Sequence, residues 1–88
     1  VQRYEIGFAP AAERQFRKLE RPVQQPLATA IDGLRSDPRP AGAKLLVGDE
    51  ALWRIRVGAY RVVYVIEDQR LRVLVVRLGP RRDVYRGL

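Results

Sequence analysis

Eighty-eight residues with a formal net charge of +7 are enough for one modest hydrophobic core and too few for two domains. The balance of 47% hydrophobic and 31% charged residues is that of a globular chain, and no apolar run is long enough to span a bilayer, so a soluble protein is expected. Cysteine and histidine are both absent, which removes disulfide frameworks, zinc sites and histidine acid–base chemistry and leaves arginines, tyrosines and carboxylates as candidates.

Val1-Gln-Arg-Tyr-Glu lacks the apolar segment of a signal peptide, so the cytoplasm is the expected location. Tyr4, Ile6 and Phe8 then alternate with polar residues, the period of a half-buried first strand. Pro10 suits a first helical turn, and Ala12, Phe16 and Leu19 follow at helical spacing, predicting a helix from about Pro10 to Glu20. Val23, Leu27, Ala30, Ile31 and Leu34 form the apolar stripe of a second helix, with Pro26 expected in its first turn. Ser36-Asp-Pro-Arg-Pro40 stops that helix, because residues before proline avoid the helical region. Ala41 to Glu50 reads as a loop.

Strands over about 52–57 and 60–66 are joined at Gly58-Ala59, whose leading glycine suits a type II′ hairpin. Glu67-Asp-Gln-Arg70 makes the next turn, and Leu71 to Leu78 is apolar on both faces, as in a strand near a sheet centre, ending at Gly79-Pro80. The fold class is therefore α+β, ordered β-α-α-β-β-β. A small, mainly antiparallel four-stranded sheet carries a helical hairpin on one face.

The charge is unevenly spread. Residues 1–50 hold eight basic and seven acidic side chains, whereas residues 51–88 hold nine arginines and three acids, an asymmetry that favours nucleic acid or another polyanion. Within the hairpin, Trp53, Ile55 and Val57 share one face while Leu52, Arg54 and Arg56 share the other. Two such arginines alone would be a solvated surface. Arg61 changes that reading, because the tight turn brings it beside Arg56, where like charges are unfavourable unless an anion lies between them. Arginine suits phosphate through its planar, permanently charged fork. Arg81 and Arg82 follow the last strand and extend the cluster, or form a solvated tail. Tyr60, Tyr64 and Trp53 share the parity of core residues, whereas Tyr85 lies in a polar tail and either stacks a base or moves a proton, or anchors that tail together with Val84. Glu67 and Asp68 have no spacing suited to metal or glycosidic chemistry, so neither a metal nor another cofactor is implied.

Lys44-Leu, the run from Trp53 to Tyr64, a valine-rich strand ending in Gly79, a basic cluster and Val84-Tyr85 together resemble the RelE toxins of the RelE/ParE superfamily. The resemblance spans nearly the whole chain and implies a single RelE/ParE-like toxin domain over residues 1–88. It further implies a ribosome-dependent endoribonuclease that cuts A-site mRNA by 2′-hydroxyl attack without a metal, and that is neutralised by a cognate antitoxin in a hetero-oligomer. By motif position, catalytic roles are implied for Arg61, Arg81 (or Arg82) and Tyr85, and substrate binding for Arg54, Arg56 and Arg82. The strand positions held by Arg54 and Arg56 are often lysine in such toxins; arginine essentially cannot lose its proton, so proton transfer is assigned to Tyr85. Two alternatives stand beside this reading: a ParE-like gyrase inhibitor on the same scaffold, and a non-catalytic RNA-binding module.

Overall fold

The computed structural model describes residues 3–46 and 51–80. Strand β1 (Glu5–Phe8) leads into helix α1 (Pro10–Arg17) and helix α2 (Arg21–Gly33), followed by β2 (Lys44–Leu45), β3 (Leu52–Val57), β4 (Tyr60–Glu67) and β5 (Arg72–Pro80). The sheet order is β1-β5-β4-β3-β2, with β1 parallel to β5 and the remaining pairs antiparallel. The α+β class, the helical hairpin and the mainly antiparallel sheet agree with expectation, but the sheet has five strands and not four. The added strand comes from the segment read as a loop: Lys44 and Leu45 pair with Arg54 and Trp53, and the Leu46 N–H donates to the Leu52 carbonyl at 2.8 Å. Two residues between proline- and glycine-rich segments carry no periodicity to read.

Other boundaries move for local reasons. Helix α1 ends at Arg17, short of Glu20, because Glu20 is already extended (φ −70°, ψ 153°) as the N-cap of α2. Helix α2 begins at Arg21, so Pro26 falls inside the helix and not in its first turn. Lacking an N–H, Pro26 leaves the Pro22 carbonyl without its intrahelical donor. Strand β5 starts one residue late, since Leu71 adopts a left-handed φ of 51° after the short 3₁₀ turn Asp68–Arg70. It continues through Gly79 and Pro80, which pair with Arg61 and Tyr60. The β3–β4 hairpin falls where expected, with Gly58 at φ 61° in the two-residue turn, as a type II′ geometry requires.

The core lies between the helices and one sheet face. Ala12, Leu27, Ile31 and Leu34 from the helical layer meet Ile55, Val62, Tyr64, Val73, Val75 and Leu78 from the sheet. Burying a leucine such as Leu27 contributes roughly 1.5–3 kcal/mol. Among polar ties, the Tyr64 hydroxyl donates to the Pro38 carbonyl at 2.7 Å, pinning the segment after α2 against the sheet. Burial pushes that hydroxyl up to about 12. Arg39 grips Asp68 with both terminal nitrogens, at 3.2 and 2.8 Å, and stacks 5.2 Å from the Trp53 ring centroid. Asp68 also accepts from the Tyr4 hydroxyl at 2.7 Å. The hydrogen bond from Arg39, reinforced by the one from Tyr4, holds the Asp68 carboxyl down at about 2. No helix among the described residues is long and apolar enough to cross a membrane.

Candidate nucleic-acid interface

The sheet face turned away from the helices carries the charge. Strand alternation sends Trp53, Ile55 and Val57 toward the helices and Arg54 and Arg56 to the opposite side, and paired residues in a ladder share a side. Two neighbouring rows of side chains on this face carry the cluster. One runs Arg56, Arg61, Gly79, and the neighbouring one runs Lys44, Arg54, Val63, Arg77. Successive rows stand about 6.8 Å apart along the strands. Because Val57 and Tyr60 close the two-residue turn as a hydrogen-bonded pair, Arg56 and Arg61 form the next, non-hydrogen-bonded pair, with Cα atoms about 4.5 Å apart.

Depth distinguishes the arginines. Arg54 and Arg61 are only 7% and 8% exposed, whereas Arg56 is exposed. Arg54 Nε is buried without a hydrogen-bond partner, and Arg61 reaches the Tyr60 carbonyl from Nη1 at 3.3 Å. Among the described residues neither guanidinium meets a carboxylate; the ion pairs there involve Arg17, Arg35, Arg39, Arg70 and Arg72. A buried ion without a counter-ion costs several kcal/mol, which an arriving oxyanion would repay. Beside this cluster, where the short β2 ceases to cover β3, lies a cleft of about 450 Å³ whose lining includes Lys44, Arg54 and Arg56 with Ala30, Pro40 and Gly42.

Of the residues singled out in the sequence, Arg54, Arg56 and Arg61 are thus brought together, with Arg61 directly opposite Arg56 and diagonal to Arg54. Arg81, Arg82 and Tyr85 lie outside the described residues. Tyr60 and Tyr64 share the helix-side parity, as expected, and Tyr4 is engaged by Asp68. Two cations were missed by sequence reasoning. Lys44 escaped because its two-residue strand was read as loop. Arg77 escaped because simple alternation places it with Val73 and Val75, toward the helices; the ladder instead pairs Val63 with Arg77 and Tyr64 with Val75, leaving Val76 as a bulge that reverses parity.

Comparison with known proteins agrees with this architecture. The family model for the ParE toxin of the type II toxin-antitoxin system parDE matches residues 6–85. A RelE-like toxin protein of Escherichia coli is 31% identical over 86 residues, covering 94% of this chain and 90% of its own. Toxin RelG of Mycobacterium tuberculosis is 30% identical over 84 residues, covering 94% and 97% respectively. Among solved structures, a chain of the RelBE2 toxin-antitoxin complex from M. tuberculosis matches with a TM-score of 0.81 and 27% identity over 94% of this chain and 97% of that one. With fold and sequence matching across nearly its whole length, the chain belongs to the RelE/ParE family of toxins from type II toxin–antitoxin systems.

Proposed function

We propose that this chain, read as one toxin domain over residues 1–88, is a ribosome-dependent endoribonuclease that cleaves mRNA in the A site, and that a cognate antitoxin silences it in a hetero-oligomer. The observation that carries the reading is the pair of deeply buried guanidinium groups, Arg54 and Arg61, that meet no carboxylate among the described residues. Such a pair, with Arg56 directly across the ladder from Arg61, matches an oxyanion and not a protein acid already in place. The resemblance to RelE toxins implies RNA as the polyanion, the relatives include a RelE-like toxin and Toxin RelE, and the antitoxin in the RelBE2 complex supports a partner of the same kind.

The chemistry follows from charge and geometry. A ribose 2′-hydroxyl attacks the adjacent phosphorus, the bond from phosphorus to the 5′-oxygen of the next nucleotide breaks, and the products are a 2′,3′-cyclic phosphate and a 5′-hydroxyl. Arg61, with Arg81 or Arg82 from the chain end, stabilises charge growing on the phosphoryl oxygens, while Arg54 and Arg56 hold the backbone in line. These cations supply the neutralisation that a metal would otherwise provide. Arginine cannot serve as the base, and among the described residues the hydroxyls of Tyr4 and Tyr64 are already bound to Asp68 and Pro38. By its position in the motif Tyr85 is the residue assigned to pass the proton, donating it to the leaving 5′-oxygen or taking it from the 2′-hydroxyl. The ribosome orders the mRNA, and the cytoplasm, where ribosomes translate, is the site of action.

A second reading has one specific support: the matching family model is described as a ParE toxin. In that case the protein inhibits gyrase and the arginine face is not a nuclease site. Parent and Arg61→Ala proteins, assayed in parallel on ribosome-bound mRNA and in a gyrase supercoiling reaction, separate the two. The nuclease reading expects cleavage by the parent only, with supercoiling intact. Inhibited supercoiling with uncut mRNA would favour the second reading, and binding of RNA with neither effect would indicate a non-catalytic RNA-binding module.

A further inference from the structure

Of the two cations that the sequence hides, Arg77 is the one that lies diagonal to Arg61, and the nuclease reading leaves it unused. Arg77 sits on β5 opposite Val63, in the row that continues through Arg54 to Lys44. It is diagonal to Arg61, since Arg61 pairs with Gly79 two residues further along the same strand. Arg61 is thus flanked on both sides: Arg56 opposite and Arg54 diagonal on β3, and Arg77 diagonal on β5, with diagonal Cα neighbours typically about 7–8 Å apart.

Several features hold Arg77 there. The Val76 bulge turns it away from the core, which Val73, Val75 and Leu78 occupy. Beyond Phe8, β1 no longer pairs with β5, and the Gln15 side chain of α1 accepts from the Leu78 N–H at 2.9 Å, fixing the strand just past the bulge. Arg77 is half-buried, and it meets no carboxylate among the described residues. Bulges commonly re-aim side chains beside functional sites. Here the re-aimed side chain adds a cation to the row next to Arg56 and Arg61, offset by about 6.8 Å along the strands, a spacing comparable with that of successive phosphates in a nucleic-acid strand.

We propose that Arg77, turned onto the arginine face by the Val76 bulge, binds the phosphate adjacent to the one held by Arg56 and Arg61, so that the sheet grips two consecutive phosphates of single-stranded RNA. The inference rests on the nuclease reading for its ligand and adds a positioning residue to the same face. One contact of this kind to single-stranded RNA adds about 0.7 to the slope of log affinity against log salt, equivalent to about fivefold in affinity at 0.1 M monovalent salt.

The test is a salt titration of binding to a short, uncleavable 2′-O-methyl oligoribonucleotide by the parent, Arg77→Ala, Arg77→Lys and Arg14→Ala. Arg14 is exposed on α1 and controls for the same loss of net charge. We expect Arg77→Ala to lower the slope by about 0.7 and to weaken binding about fivefold at 0.1 M salt, Arg77→Lys to restore the slope, and Arg14→Ala to match the parent. An unchanged slope in Arg77→Ala, with or without weaker binding, overturns the inference, as does failure of Arg77→Lys to restore it. Should Arg77→Ala not fold by circular dichroism, Arg77→Gln, which keeps the stem, is read by the same criteria. Cleavage of ribosome-bound mRNA by the same parent preparation is measured alongside: cleavage with an unchanged Arg77→Ala slope refutes the inference alone, whereas a parent that does not cleave refutes the nuclease reading.

Discussion

Replacing Arg61 with methionine should make the isolated protein more stable while removing its activity. The side chain is 8% exposed, faces Arg56 across the ladder, and meets no carboxylate among the described residues. Desolvating an ion costs several kcal/mol after relaxation. Two unit charges about 6 Å apart at an effective dielectric near 20 repel by roughly 3 kcal/mol, a figure that screening of the exposed Arg56 reduces to about 1 kcal/mol. Against these stands the long hydrogen bond from Nη1 to the Tyr60 carbonyl at 3.3 Å, worth about 1–2 kcal/mol. Methionine has a similar unbranched stem and no charge to solvate. The expected net gain is about 1–3 kcal/mol, or a rise of several degrees in Tm for a chain of this size. Urea midpoints of parent and Arg61→Met in dilute buffer measure it, and repeating them with added inorganic phosphate should stabilise the parent alone. If Arg61→Met is less stable than the parent by more than about 1 kcal/mol, Arg61 is an element of the fold and the reasoning fails.

Tyr64→Phe should cost about 1–2 kcal/mol at neutral pH, because it removes a buried hydrogen bond and orphans the Pro38 carbonyl. Since the folded-state pKa is raised from 10.0 to about 12, the parent should lose stability as pH rises from about 10 toward 12, and urea melts across that window should show a smaller loss in Tyr64→Phe. Asp68 has the opposite sign: its folded pKa is lowered from 3.8 to about 2, so its contribution is present above about pH 4 and is lost as pH falls through 2. Acid titrations should therefore show the parent and Asp68→Asn converging over that range, and the gap at pH 5 should shrink with added salt. Pro26→Ala should raise stability by about 1–3 kcal/mol in thermal or urea melts by restoring the interior hydrogen bond of α2, and a destabilised variant would show that the proline ring is needed for packing.

The hairpin was legible because two signals coincided: strict alternation from Trp53 to Val57, and a turn glycine that fixes register. Together they place Arg56 opposite Arg61 from sequence alone. Burial was not legible in the same way, since alternation assigns a face and not a depth. Arg54 and Arg56 read alike in sequence, yet Arg54 is buried and Arg56 exposed. The fifth strand and Lys44 were hidden in a two-residue pairing, and Arg77 behind a bulge whose parity change depends on the partner strand. The bidentate partner of Asp68 is Arg39, 29 residues away in sequence, while its turn neighbour Arg70 approaches Glu67. Each miss concerns a contact between distant segments, which local periodicity cannot report.

The most direct test of the central claim is the chemical identity of the ends produced when the purified protein acts on ribosome-bound mRNA. Cleavage in the A site leaving a 2′,3′-cyclic phosphate and a 5′-hydroxyl is the expected result, with no cleavage by Arg61→Ala. Ends bearing a 3′-hydroxyl and a 5′-phosphate, or intact mRNA alongside inhibited gyrase, would each contradict it.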